Sequence, residues 1–378
     1  MCSKVNTGWV TQSLPPEFQL LIECCQANFT RRRGRSLKGQ QANVDWPRFL
    51  ALAQRHRVEG LSWHGLRELD VQLPEEIAAS LLAAAREIAE HGLRAAFECK
   101  RLREHFDTHG MPSLFVKGLA VGHLAYGDAF RKAASDIDLL VRADDIGHAG
   151  FQLRELGYKA VGPECDDDAT IERWHRCSKE STWVNKDETM CLELHSALTD
   201  HQDLVNRIGI DSPLRTVTVM PGLNIATLAN DELLAYLCVH GASSAWFRLK
   251  WIADFAGLLD GASEADLAHV LARARSLGAG RSAEQALLLA CYLFPLLPYD
   301  TPFSRALRRN PIATWLARRS LAQLLAPEPT KRRLGTLTIH LTQLMLAPGF
   351  LSPWREFRRQ LFHRAHNKRF GRQIKKGP

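Results

Sequence analysis

Residues 113–141 read SLFVKGLAVGHLAYGDAFRKAASDIDLLV, and the tetrad Asp136-Ile137-Asp138-Leu139 near the end of this stretch decides the fold. Side chains alternate faces along a strand, so a strand over 135–141 puts Asp136 and Asp138 on one side and Ile137, Leu139 and Val141 on the other. Two carboxylates then project together from an apolar underside. Paired carboxylates supply hard oxygen ligands for Mg2+, and such ions clamp a triphosphate in phosphoryl and nucleotidyl transfer. Upstream, Leu114-Phe115-Val116 reads as a short buried strand that breaks at Lys117-Gly118 and enters a helical run over 119–126. A strand, a glycine turn and a helix start leave outward-pointing N–H groups suited to phosphate. Taken alone, D-x-D is equally a solvated strand end and K-G an ordinary turn.

Working outward, Pro74 followed by Glu75 and Glu76 signals the start of a long helix. Its apolar stripe runs Leu81, Ala85, Ile88, Gly92, Ala95, Cys99, Leu102 and Phe106, and Gly110 and Pro112 stop it. This helix is expected to pack beside the sheet. Before it, 16–27 reads as a short amphipathic helix, and His56-Arg57-Val58 reads as helix packing rather than substrate contact. Downstream, 144–157 reads as a helix ending at Gly157-Tyr158, and the acids of 164–168 as a solvated loop. Residues 181–186 and 190–198 read as a hairpin joined by Asp187-Glu188-Thr189. Its second strand puts Cys191, Glu193 and His195 on one face, which makes Glu193 available as a third carboxylate beside Asp136 and Asp138. His195 is either an accessory group that assists Glu193 or a structural histidine. A zinc site from His175, Cys177, Cys191 and His195 matches no common module spacing. Leu214–Met220 alternates as a further strand, Pro221-Gly222 closes the sheet region, and the pattern beyond is wholly helical. There Ser263 and Ser282 read as N-caps, the latter with Gln285 as a capping box. Arg248 and Lys250 are candidates for phosphate contact, whereas Trp246, Trp251 and Phe255 read as core.

A chain of 378 residues with 46% apolar content has material for two or three units and a sizeable core. The apolar runs 286–298 and 336–351 are too short or too polar to span a bilayer, and the first residues lack the apolar run of a signal peptide. Nine cysteines without framework spacing fit a reducing compartment, and the expected location is cytoplasmic. The net charge is +8, and residues 354–378 carry nine basic residues against Glu356 alone, which is +8, so the rest sums to about zero. Such a tail is either a solvated end or a contact for RNA or an anionic membrane surface. A shorter basic run, Arg31-Arg32-Arg33 and Arg35, lies in a polar linker.

The order of apolar strand, V-K-G at 116–118, helix and D-I-D-L-L-V at 136–141 resembles the uncharacterised nucleotidyltransferase family, a bacterial branch of the polymerase-β-like superfamily. Gly157-Tyr158, LELHSAL at 192–198 and HGASSAWFRLKWIADFAGLL at 240–259 extend the resemblance over about 45–300. It implies an α+β fold in which a small mixed β-sheet core is flanked by N-terminal and C-terminal helical regions. The corresponding division is a helix and basic linker (1–43), a helical region (44–110), the catalytic core (111–222), a C-terminal helical domain (223–345) and a basic tail (346–378). By resemblance, Asp136 and Asp138 hold two Mg2+ ions, and Glu193 completes the metal site and orients or deprotonates an acceptor hydroxyl. Lys117, Gly118, Ser135, Arg131 and Lys132, with Arg248 and Lys250, meet the NTP. The chain departs from the family pattern in having Lys132 where an arginine is common and Ser243-Ser244 after His240. The expected activity is Mg2+-dependent transfer of a nucleoside monophosphate from an NTP to a hydroxyl or phosphate of a small-molecule or protein acceptor. The alternative is a catalytically inactive nucleotide-binding or partner-binding module docked through its tail. Asp136→Asn and Asp138→Asn are each expected to abolish transfer and leave the fold intact.

Overall fold

Proline sets the early boundaries. In α1 (Pro16–Ala27) and α2 (Trp46–His56) a proline sits in the first turn, where its missing N–H has no intrahelical partner to lose. Asp45 caps α2 by accepting from the Arg48 N–H at 3.1 Å, and α2 ends at Arg57 in the left-handed region, φ +53°. After α3 (Glu59–Glu68) comes α4 (Glu75–Thr108), whose 34 residues follow Pro74 as expected and bury Leu81, Ala85, Gly92, Ala95, Cys99, Leu102 and Phe106. The computed structural model describes residues 14–30, 44–201, 203–298, 300–326, 342–346 and 354–359. The basic run at 31–35, most of the apolar run at 336–351 and residues 360–378 of the tail lie outside the described residues.

The D-I-D-L-L run forms its strand. Chain order is β1 (Leu114–Phe115), α5 (Leu119–Tyr126), β2 (Asp136–Leu140), α6 (Ile146–Glu155), β3 (Lys159–Gly162), β4 (Glu164–Cys165), α7 (Asp168–His175), β5 (Glu180–Val184) and β6 (Cys191–His195). These strands make one mixed sheet in the order β1-β2-β6-β5-β3-β4, with β2 and β6 parallel and central and the other neighbours antiparallel. The acids at 164–168 are largely solvent-exposed, as expected, but they lie in a short strand and at a helix start rather than in a loop. Glu164 and Cys165 pair with β3, and Asp167 caps α7, accepting from the Thr170 N–H at 2.8 Å and its hydroxyl at 2.7 Å.

The alternation in β2 and β6 sorts the sheet into two faces, each with its own core. Ile137, Leu139, Val141, Leu192, Leu194 and Trp183 pack with the α4 stripe and with Val217, Val219, Leu223 and Ile225. Those last four belong to a second sheet, the hairpin β7 (Leu214–Met220) and β8 (Leu223–Leu228) turned at Gly222, φ +78°. Pro221-Gly222 is therefore a hairpin turn and not the end of the sheet region; the single strand expected here has an antiparallel partner.

The other face joins the larger helical core. Its C-terminal part is α8 (Asn230–Ser243), α9 (Leu249–Leu258), α10 (Glu264–Ser276), α11 (Gly280–Leu293), α12 (Pro302–Arg308) and α13 (Pro311–Leu325), and it shares apolar contacts with α1, α2, α3 and α5. Ser263 caps α10 in a capping box with Asp266, as expected. Ser282 does not cap; it is buried inside α11, and Gln285 reaches α13 instead, donating to the Ser320 hydroxyl at 2.9 Å and the Leu316 carbonyl at 3.3 Å. Between α8 and α9, Ala245 and Trp246 are both left-handed, φ +50° and +52°. Two such residues cost roughly 2–4 kcal/mol. Burying the Trp246 ring completely against Gly241 offsets this, since about 150–250 Å2 at ~25 cal/mol/Å2 contributes about 4–6 kcal/mol. Trp246 and Phe255 are core as expected, while Trp251 is only partly buried. No helix among the described residues is long and apolar enough to cross a membrane.

Candidate active site

Strand register brings the site together. In the parallel pair β2–β6, Asp136 lies opposite Cys191 and Asp138 opposite Glu193, and in β5–β6 Glu180 lies opposite His195. One face of three neighbouring strands thus presents Asp136, Asp138, Glu193, His195 and Glu180. A cavity of about 400 Å3 opens over that face. The Lys117-Gly118 turn, residues 132–136 and the loop around His201 form part of its wall. Across from them stand His240, Ser243 and Ser244 of the α8 end, Lys250, Trp251 and Asp254 of α9, and Glu356 and Arg359 of the tail. Gly118 has φ +59°, a conformation open to glycine, and starts α5.

Asp138 is 4% exposed and takes two contacts on one oxygen, the Lys117 ammonium at 2.7 Å and His195 Nε2 at 3.1 Å. Burial raises a carboxyl, but Lys117 and His195 outweigh it and hold Asp138 well below the usual carboxylate range. Burial works against the charge of Lys117 too, yet Asp138 keeps its ammonium protonated far above the ordinary value. Glu193 goes the other way: burial raises it, His195 opposes, and the charges of Glu180 and Asp138 push it further up. His195 is fully buried, and although burial and Lys179 disfavour its charged form, hydrogen bonds to Asp138 and Glu193 raise it above the ordinary imidazole. Its Nε2 is 3.5 Å from Glu193, and its Nδ1 is 3.6 Å from Glu180, which is itself paired with Lys179.

Asp138, Glu193 and His195 each offer a ligand atom, all within 4.8 Å of one another, and form the one such group among the described residues. Asp136 is outside that group: it lines the cavity two residues along β2, 3.4 Å from the Ser135 hydroxyl. The carboxylates of Asp138 and Glu193 suit a hard divalent cation; the imidazole is a softer donor that Mg2+ seldom takes. The zinc alternative has no counterpart, because His175 is occupied by the hydroxyls of Ser196 at 2.7 Å and Ser181 at 2.9 Å. Burial brings that imidazole down to about 3, so it is neutral.

The predicted phosphate cations separate. Asp128 caps a short turn, Ala129–Arg131, that swings Arg131 away from the cavity, where Asp128 at 3.3 Å and the Asn28 side chain at 3.1 Å hold its guanidinium. Lys132 reaches the cavity wall but is paired there with Asp254 at 3.3 Å, whose other oxygen accepts from the Tyr126 hydroxyl at 2.9 Å. Arg248 is also off the cavity: it precedes α9, donates to the Arg55 carbonyl at 3.0 Å and lies over the Phe247 ring. Lys117, Gly118, Ser135 and Lys250 line the cavity. Sequence reasoning passed over Glu180 and Asp254, and it assigned Arg57 to helix packing, whereas Arg57 lines the cavity. For Asp254 a signal existed, a lone acid inside the apolar run W-I-A-D-F. Of the tail, Arg355 is 3.3 Å from Asp203 and Arg359 binds Glu356 at 2.7 Å.

No curated protein and no solved structure matches the chain. A family model described as uncharacterised nucleotidyltransferase matches residues 42–295, from α2 through α11, and so takes in both site strands and the α8–α9 wall. The chain belongs to the uncharacterised nucleotidyltransferase family.

Proposed function

We propose that this nucleotidyltransferase uses a divalent cation, Mg2+ by its oxygen donors, to transfer a nucleoside monophosphate from an NTP to a hydroxyl or phosphate acceptor. The observation that carries the reading is the parallel register of Asp138 with Glu193 beneath a cavity. Asp138 and Glu193 would hold the cation, with Asp136 at the wall to meet one brought by the triphosphate. The cation supplies charge neutralisation on the phosphates and on the departing pyrophosphate. Glu193, at the cavity beside Asp138, takes the proton of the acceptor hydroxyl as that oxygen attacks the α-phosphorus and the bond to the pyrophosphate breaks. His195 holds the carboxylates of Asp138 and Glu193 in place. A small-molecule or protein acceptor is favoured over RNA, because Arg355 and Arg359 of the basic tail are engaged by acids of this chain.

A second reading has its own support. The ammonium of Lys117 at 2.7 Å neutralises a ligand carboxylate, which suits a nucleotide-binding module without turnover. One assay separates the two: incubate the protein with each α-labelled NTP, Mg2+ and cell extract, and follow pyrophosphate and label. Transfer should occur in the wild type and fall at least ~100-fold in Glu193→Gln. Nucleotide binding without label transfer leaves the module reading, and full transfer by Glu193→Gln removes Glu193 from the mechanism.

A further inference from the structure

Among the described residues, six cationic side chains line the cavity: Arg57, Lys117, Lys132, Lys179, Lys250 and Arg359. Four are matched by acids of the chain. Lys117 pairs with Asp138 at 2.7 Å, Lys132 with Asp254 at 3.3 Å, Lys179 with Glu180, and Arg359 with Glu356 at 2.7 Å. Arg57 and Lys250 have no acid within ion-pairing distance among the described residues; Arg57 makes only a long contact, 3.4 Å, to the Ser135 hydroxyl. An unmatched ammonium facing a cavity, with a guanidinium nearby, is a place for an anion.

The two cations come from elements far apart in sequence, yet the chain fastens them together. The buried His56 accepts the Leu249 N–H at 3.1 Å, and the Arg248 guanidinium donates to the Arg55 carbonyl at 3.0 Å. The residues just before Arg57 are therefore bonded to the residues just before Lys250. Arg57 also occupies a left-handed helix end, φ +53°, where glycine or asparagine fits with less strain. An arginine there reduces stability, as expected of a side chain kept for its charge.

We propose that Arg57 and Lys250 together bind the phosphate chain of the nucleotide, in an anion subsite that lies outside the catalytic strands. The ligand's identity rests on the nucleotidyl-transfer reading; the subsite itself rests on the unmatched charges. Burial first, then Lys132 and Arg57, lower Lys250 to about 8, against the opposing pull of Asp254 and Asp136. A phosphate chain beside it favours the charged form, so binding at pH 8.5 is accompanied by proton uptake.

The test is calorimetric titration of the full chain with inorganic tripolyphosphate and with the α,β-methylene analogues of ATP and GTP. Lys250→Gln and Arg57→Asn should each weaken binding by about 10- to 100-fold. Arg57→Asn should at the same time keep or raise the melting temperature, which a merely structural arginine would not do. Tripolyphosphate should compete with the nucleotide analogues, and heats in buffers of different ionisation enthalpy should report proton uptake at pH 8.5 that Lys250→Gln abolishes. Wild-type binding that both variants retain within about twofold overturns the inference alone. Simultaneous binding of tripolyphosphate and analogue would assign the subsite to the acceptor's phosphate and overturn the nucleotide assignment. A wild type that binds neither removes the functional reading and the inference with it.

Discussion

Asp138→Asn separates what the site does from what holds it up. The Asp138 carboxylate is 4% exposed and is the acid against which the Lys117 ammonium, at 2.7 Å, is buried. Removing one partner of a buried ion pair leaves an uncompensated charge and costs about 3–5 kcal/mol. The asparagine oxygen can still accept one hydrogen bond, which returns about 1 kcal/mol, so the net loss is about 2–4 kcal/mol. Asp136 has a hydroxyl at 3.4 Å as its hydrogen-bond contact and no buried cation to satisfy, so Asp136→Asn should stay within about 0.5 kcal/mol of wild type. Urea unfolding at pH 7, followed by tryptophan fluorescence, measures both. The double variant Lys117→Met/Asp138→Asn should recover at least half of the loss, because the stranded ammonium is gone. An Asp138→Asn protein as stable as wild type, or a double variant no better than the single one, would refute this electrostatic account. The sequence-based expectation that either aspartate can be neutralised with the fold intact is narrowed for Asp138, whose charge balances the buried Lys117 ammonium.

Acid should weaken the fold through His56. Burial chiefly, with Arg55 and Arg248, lowers its imidazole from 6.5 to about 3, so the unfolded chain binds the proton first. Its contribution is complete above pH 6.5 and is lost at up to about 1.4 kcal/mol per unit as pH falls toward 3, and His56→Gln should flatten that slope in urea titrations. Gly65→Ala should destabilise by about 1–3 kcal/mol or more, because its Cβ would stand 2.3 Å from the Cys24 carbonyl oxygen of α1; an unchanged urea midpoint would contradict the close α1–α3 crossing. Mg2+ at millimolar concentration should raise the melting temperature of the wild type and not of Glu193→Gln, whereas equal shifts would place the cation elsewhere.

The fold was legible where a pattern was long or strictly alternating. The α4 stripe and the D-I-D-L-L alternation need only local periodicity, and β2 and α4 follow from it. What periodicity does not carry is which strands become neighbours. That Glu193 stands beside Asp138 depends on β6 crossing to pair in parallel with β2, and it entered the sequence argument through the family resemblance. The second strand of the β7–β8 hairpin was hidden because Leu223–Leu228, apolar and followed directly by α8, looks like the start of a helical run. Among the cations, sequence adjacency misled: Arg131 and Lys132 are neighbours, but a turn capped by Asp128 sends the one toward Asn28 and the other to Asp254. Arg57 reads as helix packing in the sequence, because a helix end says nothing about what the end faces, yet it lines the cavity.

The parallel pairing of β2 with β6 also has a kinetic side. Between Leu140 and Cys191 the chain builds α6, β3, β4, α7 and β5 before it returns, and β5 must be seated for β6 to have both neighbours. Contacts so remote in sequence form late, since closing the loop comes before any reward from pairing. A polypeptide still emerging from the ribosome, or one arrested short of residue 195, therefore holds Asp138 without Glu193 seated beside it, and on the proposed reading cation affinity should appear in the last phase of refolding as a report that the molecule has finished.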